Sequence, residues 1–282
     1  MQKTTSVSTA TAALPPLRVK GRLGKYRLDR RIGQGGFADV YAATDTLLSI
    51  KVALKIPNAQ WVSDELIAAF RREAKMTMGF EHPHILPIRD ASFIDGRFII
   101  VTPLASRTLD DRLKNRMSFE TAFEFTSQLL DAVAYAHQHG VIHCDIKPEN
   151  VMLFEDDWLR LGDFGIAKVA QKTISGSGTG TLGYMAPEQA MGKPSKRSDV
   201  FSLGLVAYRM LSGKWPEYPF EWPFPGATAM RRRVHADVVA IIRKSVAIRP
   251  RDRFVDAEKM AAAWEKSRLK ASRFAKRSRK TA

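Results

Sequence analysis

The chain has 282 residues, with 45 Lys or Arg, 29 Asp or Glu, a formal net charge of +16 and one cysteine. That length is enough for two adequate cores, and a lone cysteine excludes an intrachain disulfide framework and suits a reducing, cytoplasmic setting. The longest apolar run, near Val200–Leu211, is too short to span a membrane, and Met1–Ala13 is polar and threonine-rich, unlike a secretory leader.

Five basic residues and no acid precede Tyr26, so residues 1–25 read as a basic, flexible extension. Ile32-Gly33-Gln34-Gly35-Gly36-Phe37-Ala38-Asp39-Val40 then reads as a strand, a glycine turn and a returning strand. A turn so poor in side chains lets backbone N–H groups approach phosphates, although an ordinary β-turn explains most such clusters. Val52-Ala53-Leu54-Lys55 follows as a short apolar strand ending on a lysine. Ser63 to Met78 has the marks of a helix: Ser63 as N-cap, Asp64 and Glu65 in the first turn, Gly79 past the end. Leu66, Phe70, Glu73 and Thr77 share one face of it, so Glu73 points inward and needs a cation.

A hairpin about Asp95-Gly96 leads into Phe98–Leu104, a buried strand running into a connector. The next segment is helical from Ser118, its N-cap, to His139, with Gly140 as C-cap and Ala122, Phe125, Leu129, Val133 and Ala136 on the apolar stripe. Val141-Ile142 reads as a short strand before His143-Cys144-Asp145-Ile146-Lys147-Pro148-Glu149-Asn150, and Asp163-Phe164-Gly165 stands thirteen residues further on. An acid, an amine and an amide in one loop, with a second acid on a glycine turn, are what phosphoryl transfer from a Mg-nucleotide needs. Lys168–Gly180 has no periodicity and is rich in Ser, Thr and Gly. It closes on Gly180–Glu188, with Ala186-Pro187-Glu188 at its end, and Ser198 opens an apolar helix that stops before Gly213. Trp215–Pro225 is dense in aromatic residues and proline, which suits a partner surface or simple packing. Lys266 onward carries eight positive charges, so most of the +16 lies in the two ends. Such ends bind acidic partners without specificity or are simply solvated. His82-x-His84 and His137-x-His139 lack the carboxylates or cysteines that would complete a metal site.

Taken together and in this order, these motifs resemble the eukaryotic-type serine/threonine protein kinases of the bacterial kind, over roughly residues 26 to 265. The resemblance implies an α+β, two-lobed protein kinase fold. A small lobe (26–101) of antiparallel sheet plus one helix and a hinge (102–105) precede a larger, mainly helical lobe (106–268), with the nucleotide in the cleft between them and a basic tail at 269–282. It also implies an enzyme that moves the γ-phosphoryl of Mg-ATP, with Mn²⁺ as an alternative ion, to protein Ser/Thr hydroxyls. The other function class is a pseudokinase scaffold, against which the joint presence of Lys55, Asp145, Asn150 and Asp163 argues. By resemblance, Asp145 and Lys147 are catalytic, Asn150 and Asp163 hold the metal, and Lys55, fixed by Glu73, steadies the phosphates. Ile32, Gly33, Gln34, Gly35, Gly36 and Phe37 belong to the ATP site, where the backbone around Gly33, Gly35 and Gly36 covers the phosphates. Val40, Ala53 and Met152 sandwich the purine, Val101 is the gatekeeper, and the Thr102 carbonyl and Leu104 N–H meet adenine. Thr173, Ser175, Ser177, Thr179 and Thr181 fall in the activation segment, while His143, Glu188, Asp199 and Arg253 are structural, Arg253 pairing with Glu188. Two positions depart from the pattern. Ala38 stands for the third glycine, and Cys144 stands where most regulated kinases carry the arginine that receives a phosphorylated loop. A cysteine cannot pair with phosphate, so activity is expected not to use that switch.

Overall fold

A computed structural model describes residues 15–35, 38–58, 64–155, 158–164 and 182–280. The chain divides into two compact units, one of Met1–Ala68 with Arg89–Leu104, the other of Ala69–Ile88 with Ala105–Ala282.

The first unit is an antiparallel sheet in the order β1-β2-β3-β4-β6-β5, formed by β1 (Arg22–Leu23), β2 (Tyr26–Gln34), β3 (Ala38–Asp45), β4 (Ile50–Pro57), β5 (Asp90–Ile94) and β6 (Arg97–Pro103). In β4 the residues Val52, Leu54 and Ile56 are buried in alternation, the period-2 pattern of a half-buried strand. They join Leu23, Tyr26, Leu28, Tyr41, Ile99 and Val101 in one apolar cluster. Asp95 and Gly96 both take positive φ, as a tight hairpin turn between β5 and β6 requires. The expected flexible extension to residue 25 is corrected in part: Leu17 packs on this core, Leu23 is buried, and β1 pairs with β2. Leu23 supplies apolar area that a purely basic segment would lack.

Helix α1 (Asp64–Met78) begins where the acidic first turn placed it, while Ser63, its expected cap, lies outside the described residues. Phe70 and Thr77 on its predicted inner face are buried.

The second unit is mainly helical. Its strands β7 (Arg107–Thr108), β8 (Val151–Leu153) and β9 (Leu159–Leu161) form a small sheet. Its helices are α2 (Leu109–Leu113), α3 (Phe119–Gln138), α4 (Pro187–Ala190), α5 (Lys196–Ser212), α6 (Ala227–Arg231), α7 (Ala236–Ser245) and α8 (Ala257–Lys280). Ser118 caps α3 by accepting from the Thr121 N–H at 3.0 Å, as expected of an N-cap serine. At the other end the C-cap is His139, and Gly140 is the left-handed residue after it, φ 74°. The N–H groups of Gly140 and Val141 close on the carbonyls of His137 and Ala136, so Val141-Ile142 finishes a helix rather than forming the expected strand. Helix α5 starts at Lys196, two residues before Ser198, because Ser195 and Ser198 form a capping box. It is buried along most of its length, and Gly204 lets α7 approach: a Cβ there would lie 2.8 Å from Ser245 Cβ.

Trp264 of α8 is fully buried and stacks on Phe123 of α3, ring centroids 4.7 Å apart. The expected break at 268/269 is absent, since α8 runs on with Ala271 and Ala275 buried. An apolar residue every third or fourth position keeps the helix docked. The aromatic 215–225 segment also turns inward: Phe220 and Phe224 are buried and Phe220 meets Phe201, although Tyr218 is exposed.

Candidate active site

The loop from His143 to Asn150 is held from beneath by a single carboxylate. Asp199, in the first turn of α5 and 1% exposed, accepts the backbone N–H of His143 at 2.8 Å and of Cys144 at 2.9 Å. His137 Nε2 lies 2.9 Å from the same carboxylate, and His137 Nδ1 accepts the Ala257 N–H at 3.2 Å, which makes Nε2 the protonated nitrogen. The loop must bend sharply to present two successive N–H groups to one acceptor, and Cys144 takes φ 68° to do so. Gln189 Nε2 then donates to the Cys144 carbonyl. These bonds satisfy buried backbone that would otherwise be costly.

His143 links this loop to the next. Its Nδ1 accepts the Asp145 N–H at 3.2 Å, so its Nε2 donates to the Gly162 carbonyl at 2.9 Å. Gly162 in turn donates its N–H to the Asn150 carbonyl at 2.9 Å. A Cβ on Gly162 would come 3.0 Å from Leu86 Cδ2, so a small residue suits the packing. Asp163 follows at φ 60°, and Phe164 is fully buried against the rings of His143 and Phe80.

On this scaffold the structure brings together three of the residues singled out from sequence. Asp145 Oδ2 lies 2.9 Å from Lys147 Nζ, and Asn150 Nδ2 donates to both the carbonyl and Oδ2 of Asp145, each at 2.8 Å. Asn150 is buried, while the Asp145 side chain is about a third exposed. An acid open to a substrate thus sits in a frame fixed by buried groups. Met152 follows in β8, paired with Thr108 and Arg160.

In the sheet unit, register places Val40 opposite Lys55, Ala53 opposite Thr102, and Lys55 opposite Ile100, with Val101 buried. Ile32, Gly33 and Gln34 end β2, and the Gly35 N–H closes on the Ala38 carbonyl at 3.0 Å. Leu104 follows β6 and is partly buried. Gly36 and Phe37 lie outside the described residues, as do the side chain of Glu73 and residues 165–181, which include Thr173, Ser175, Ser177, Thr179 and Thr181.

Glu188 and Arg253 meet as a fork: Nη1–Oε1 2.7 Å and Nη2–Oε2 3.0 Å. Arg253 also donates to the carbonyls of Ala247, Arg197 and Ile248, so all its donating nitrogens are engaged. Burial pushes the Glu188 carboxyl up, but hydrogen bonds from Arg253 and Ser198 outweigh it and hold the group below its usual range. Nearby, Arg209 donates to the buried Tyr184 hydroxyl at 2.8 Å and pairs with Asp110 at 3.1 Å. Burial raises the Tyr184 phenol.

His137 was missed as a functional residue. The signal was available, since it lies four residues after Val133 on the buried stripe of α3, where an imidazole needs partners. His82, His84 and His139 contact Asp131, the Leu159 carbonyl and the Tyr135 carbonyl instead, and no metal-holding group of His, Cys, Asp or Glu occurs among the described residues.

Comparison with known proteins follows the same lines. A sequence model of the protein kinase domain matches residues 26–253. A probable serine/threonine-protein kinase of Clostridium acetobutylicum is 36% identical over 201 residues, covering 68% of this chain and 30% of its own length. The serine/threonine-protein kinase PrkC of Bacillus subtilis is 33% identical over 273 residues, covering 89% of this chain and 42% of its own length. The chain therefore spans less than half the length of these curated relatives. Among solved structures, the PknI kinase domain of Mycobacterium tuberculosis superposes with a TM-score of 0.70 at 25% identity, covering 89% of this chain and 99% of that one. The apo form of PpkA-294 is similar in fold alone, with a TM-score of 0.75 at 22% identity over 88% of this chain and 99% of that one. An antiparallel sheet unit, a helical unit, and a match that runs from Tyr26 in β2 to the Arg253 fork put the chain in the protein kinase domain family.

Proposed function

We propose that the chain transfers the γ-phosphoryl of ATP to Ser/Thr hydroxyls of protein substrates, and to its own. The observation that carries this reading is the grouping of Asp145, Lys147 and Asn150 within 2.8–2.9 Å on a loop anchored to Asp199. Asp145 orients the acceptor hydroxyl and takes its proton late in transfer, a role that suits an acid one-third exposed. Lys147, at the same carboxylate, offsets charge on the moving phosphoryl group. Lys55 steadies the α- and β-phosphates with Glu73 as its partner, and the backbone of Gly33, Gly35 and Gly36 covers them. Val40, Ala53 and Met152 flank the purine, with Val101 behind it and the Thr102 carbonyl and Leu104 N–H at its edge.

Asn150 and Asp163 fit a magnesium ion. Asn150 commits its NH₂ to Asp145, so the oxygen is the atom it has for a cation, and Asp163 adds a carboxylate. Two hard oxygen donors, completed by phosphate oxygens and water, are a usual magnesium set. When bound, the ion supplies charge neutralisation at the phosphates; Mn²⁺ would serve in its place. A cytoplasmic setting suits the buried, reduced thiol of Cys144.

The test is incorporation of labelled phosphate from ATP and Mg²⁺ into a generic protein acceptor, with Asp145→Ala and Asp163→Ala as controls. Asp145→Ala should lose on the order of a thousandfold in rate. Equal transfer by parent and Asp145→Ala would refute the assignment.

A further inference from the structure

Helix α8 shows two faces. Ala257, Met260, Trp264, Ser267, Ala271 and Ala275 are buried against the helical unit. Lys259, Lys266, Lys270, Arg273, Lys276 and Arg277 are all exposed and recur at helical spacing, so they form one stripe on the opposite side. At 1.5 Å per residue the stripe runs about 27 Å along a single rigid element. Lys270 pairs with Asp237 at 3.3 Å, whereas the charged groups of Lys259, Lys266, Arg273 and Lys276 make no ion pair among the described residues. Leu269 stands among these cations and is 71% exposed.

We infer that this cationic ridge on α8 is a docking surface for an acidic segment of a partner protein, one that carries an apolar side chain between its carboxylates. The ridge is a line rather than a plane. Beside it Glu124 and Glu265, both about half exposed, take up Arg268. A flat anionic bilayer would press against those acids as well as the cations, whereas an extended peptide can follow the line of cations, passing an acid only where Asp237 holds Lys270. The exposed stripe has no aromatic residue on which single-stranded bases could stack. A duplex backbone offers phosphates to the cations but would gain nothing from Leu269. An acidic peptide uses both the charges and the leucine. The inference is independent of the phosphoryl-transfer reading, because it concerns binding at a face that contains none of the residues assigned to that reaction.

The experiment is anisotropy of a fluorescein-labelled peptide with a leucine set between two runs of glutamates, titrated with the full chain. Duplex DNA and phosphatidylserine vesicles are titrated at the same salt. The peptide should bind, weaken as salt rises, and lose roughly tenfold in affinity when Lys266, Arg273 and Lys276 are all changed to Glu. Leu269→Ala should weaken it by a smaller factor without changing the salt dependence. A triple Lys266→Gln, Arg273→Gln, Lys276→Gln variant serves if charge reversal prevents folding, with thermal melting as the check. Peptide affinity untouched by the folded triple variant overturns the inference. So does tighter binding of the duplex or of the vesicles than of the peptide.

Discussion

Asn150 donates to Asp145 twice, once to its main-chain carbonyl and once to its carboxylate, both at 2.8 Å. The buried amide therefore fixes both the position of the candidate acid and the direction in which it faces. Replacing Asn150 by Ala removes both bonds together with the oxygen proposed for the cation. Steady-state phosphate transfer should fall by roughly a hundredfold or more. Urea melts should show a loss of about 1–2 kcal/mol, since one partly buried carbonyl is left without its donor.

Asp199 gathers two backbone N–H groups and the His137 imidazole. An asparagine there could accept with one oxygen only, and its NH₂ would face donors. Asp199→Asn should cost about 3 kcal/mol and lower the rate even though Asp199 touches no substrate. His137→Phe should cost about 1–3 kcal/mol, because it strips both Asp199 and the Ala257 N–H of a partner. Denaturant midpoints of the two variants measured beside kcat would settle both values.

The fork between Glu188 and Arg253 gives a pH dependence of known sign. A carboxyl held below its usual range contributes stability that is fully present above its unfolded value, about 4.3, and lost as pH falls through the lower folded value. Melting temperatures of the parent and of Glu188→Gln should differ most near neutrality and converge in acid, as pH falls from the unfolded carboxyl value through the lower folded one. Arg253→Lys keeps the charge but cannot engage Ala247, Ile248, Arg197 and Glu188 together, so it should cost about 3 kcal/mol or more.

Cys144 is 4% exposed, and its backbone belongs to the Asp199 anchor. A thiol so placed should react with a disulfide reagent only after denaturation, and Cys144→Ser should retain activity. Because cysteine offers no charge to a phosphate, phosphatase-treated protein should phosphorylate an acceptor as fast as untreated protein. Inactivity restored by loop phosphorylation would contradict this.

The sheet, the helical unit and the Asp145–Asn150 grouping were legible because each rests on local signals: alternation in β4, capping serines, and an acid, amine and amide in one loop. The Glu188–Arg253 fork was legible only through family likeness, since 65 residues separate its partners. His137 was not legible as a hub because its bonds reach 62 and 120 residues along the chain, and spacing carries no record of them. The ends misled for another reason. Charge dominates residues 266–280, yet small apolar residues such as Ala271 and Ala275, thinly spread at helical intervals, suffice to dock the helix.

The kinase domain match stops at Arg253, short of the tryptophan that closes the helical core. A shortened version cut at that limit would leave the Phe123 ring facing water and remove the Ala257 N–H that His137 accepts. A piece that ends with the shared family pattern should therefore be less stable than the longer chain, and engineering of this domain should keep the final helix whole.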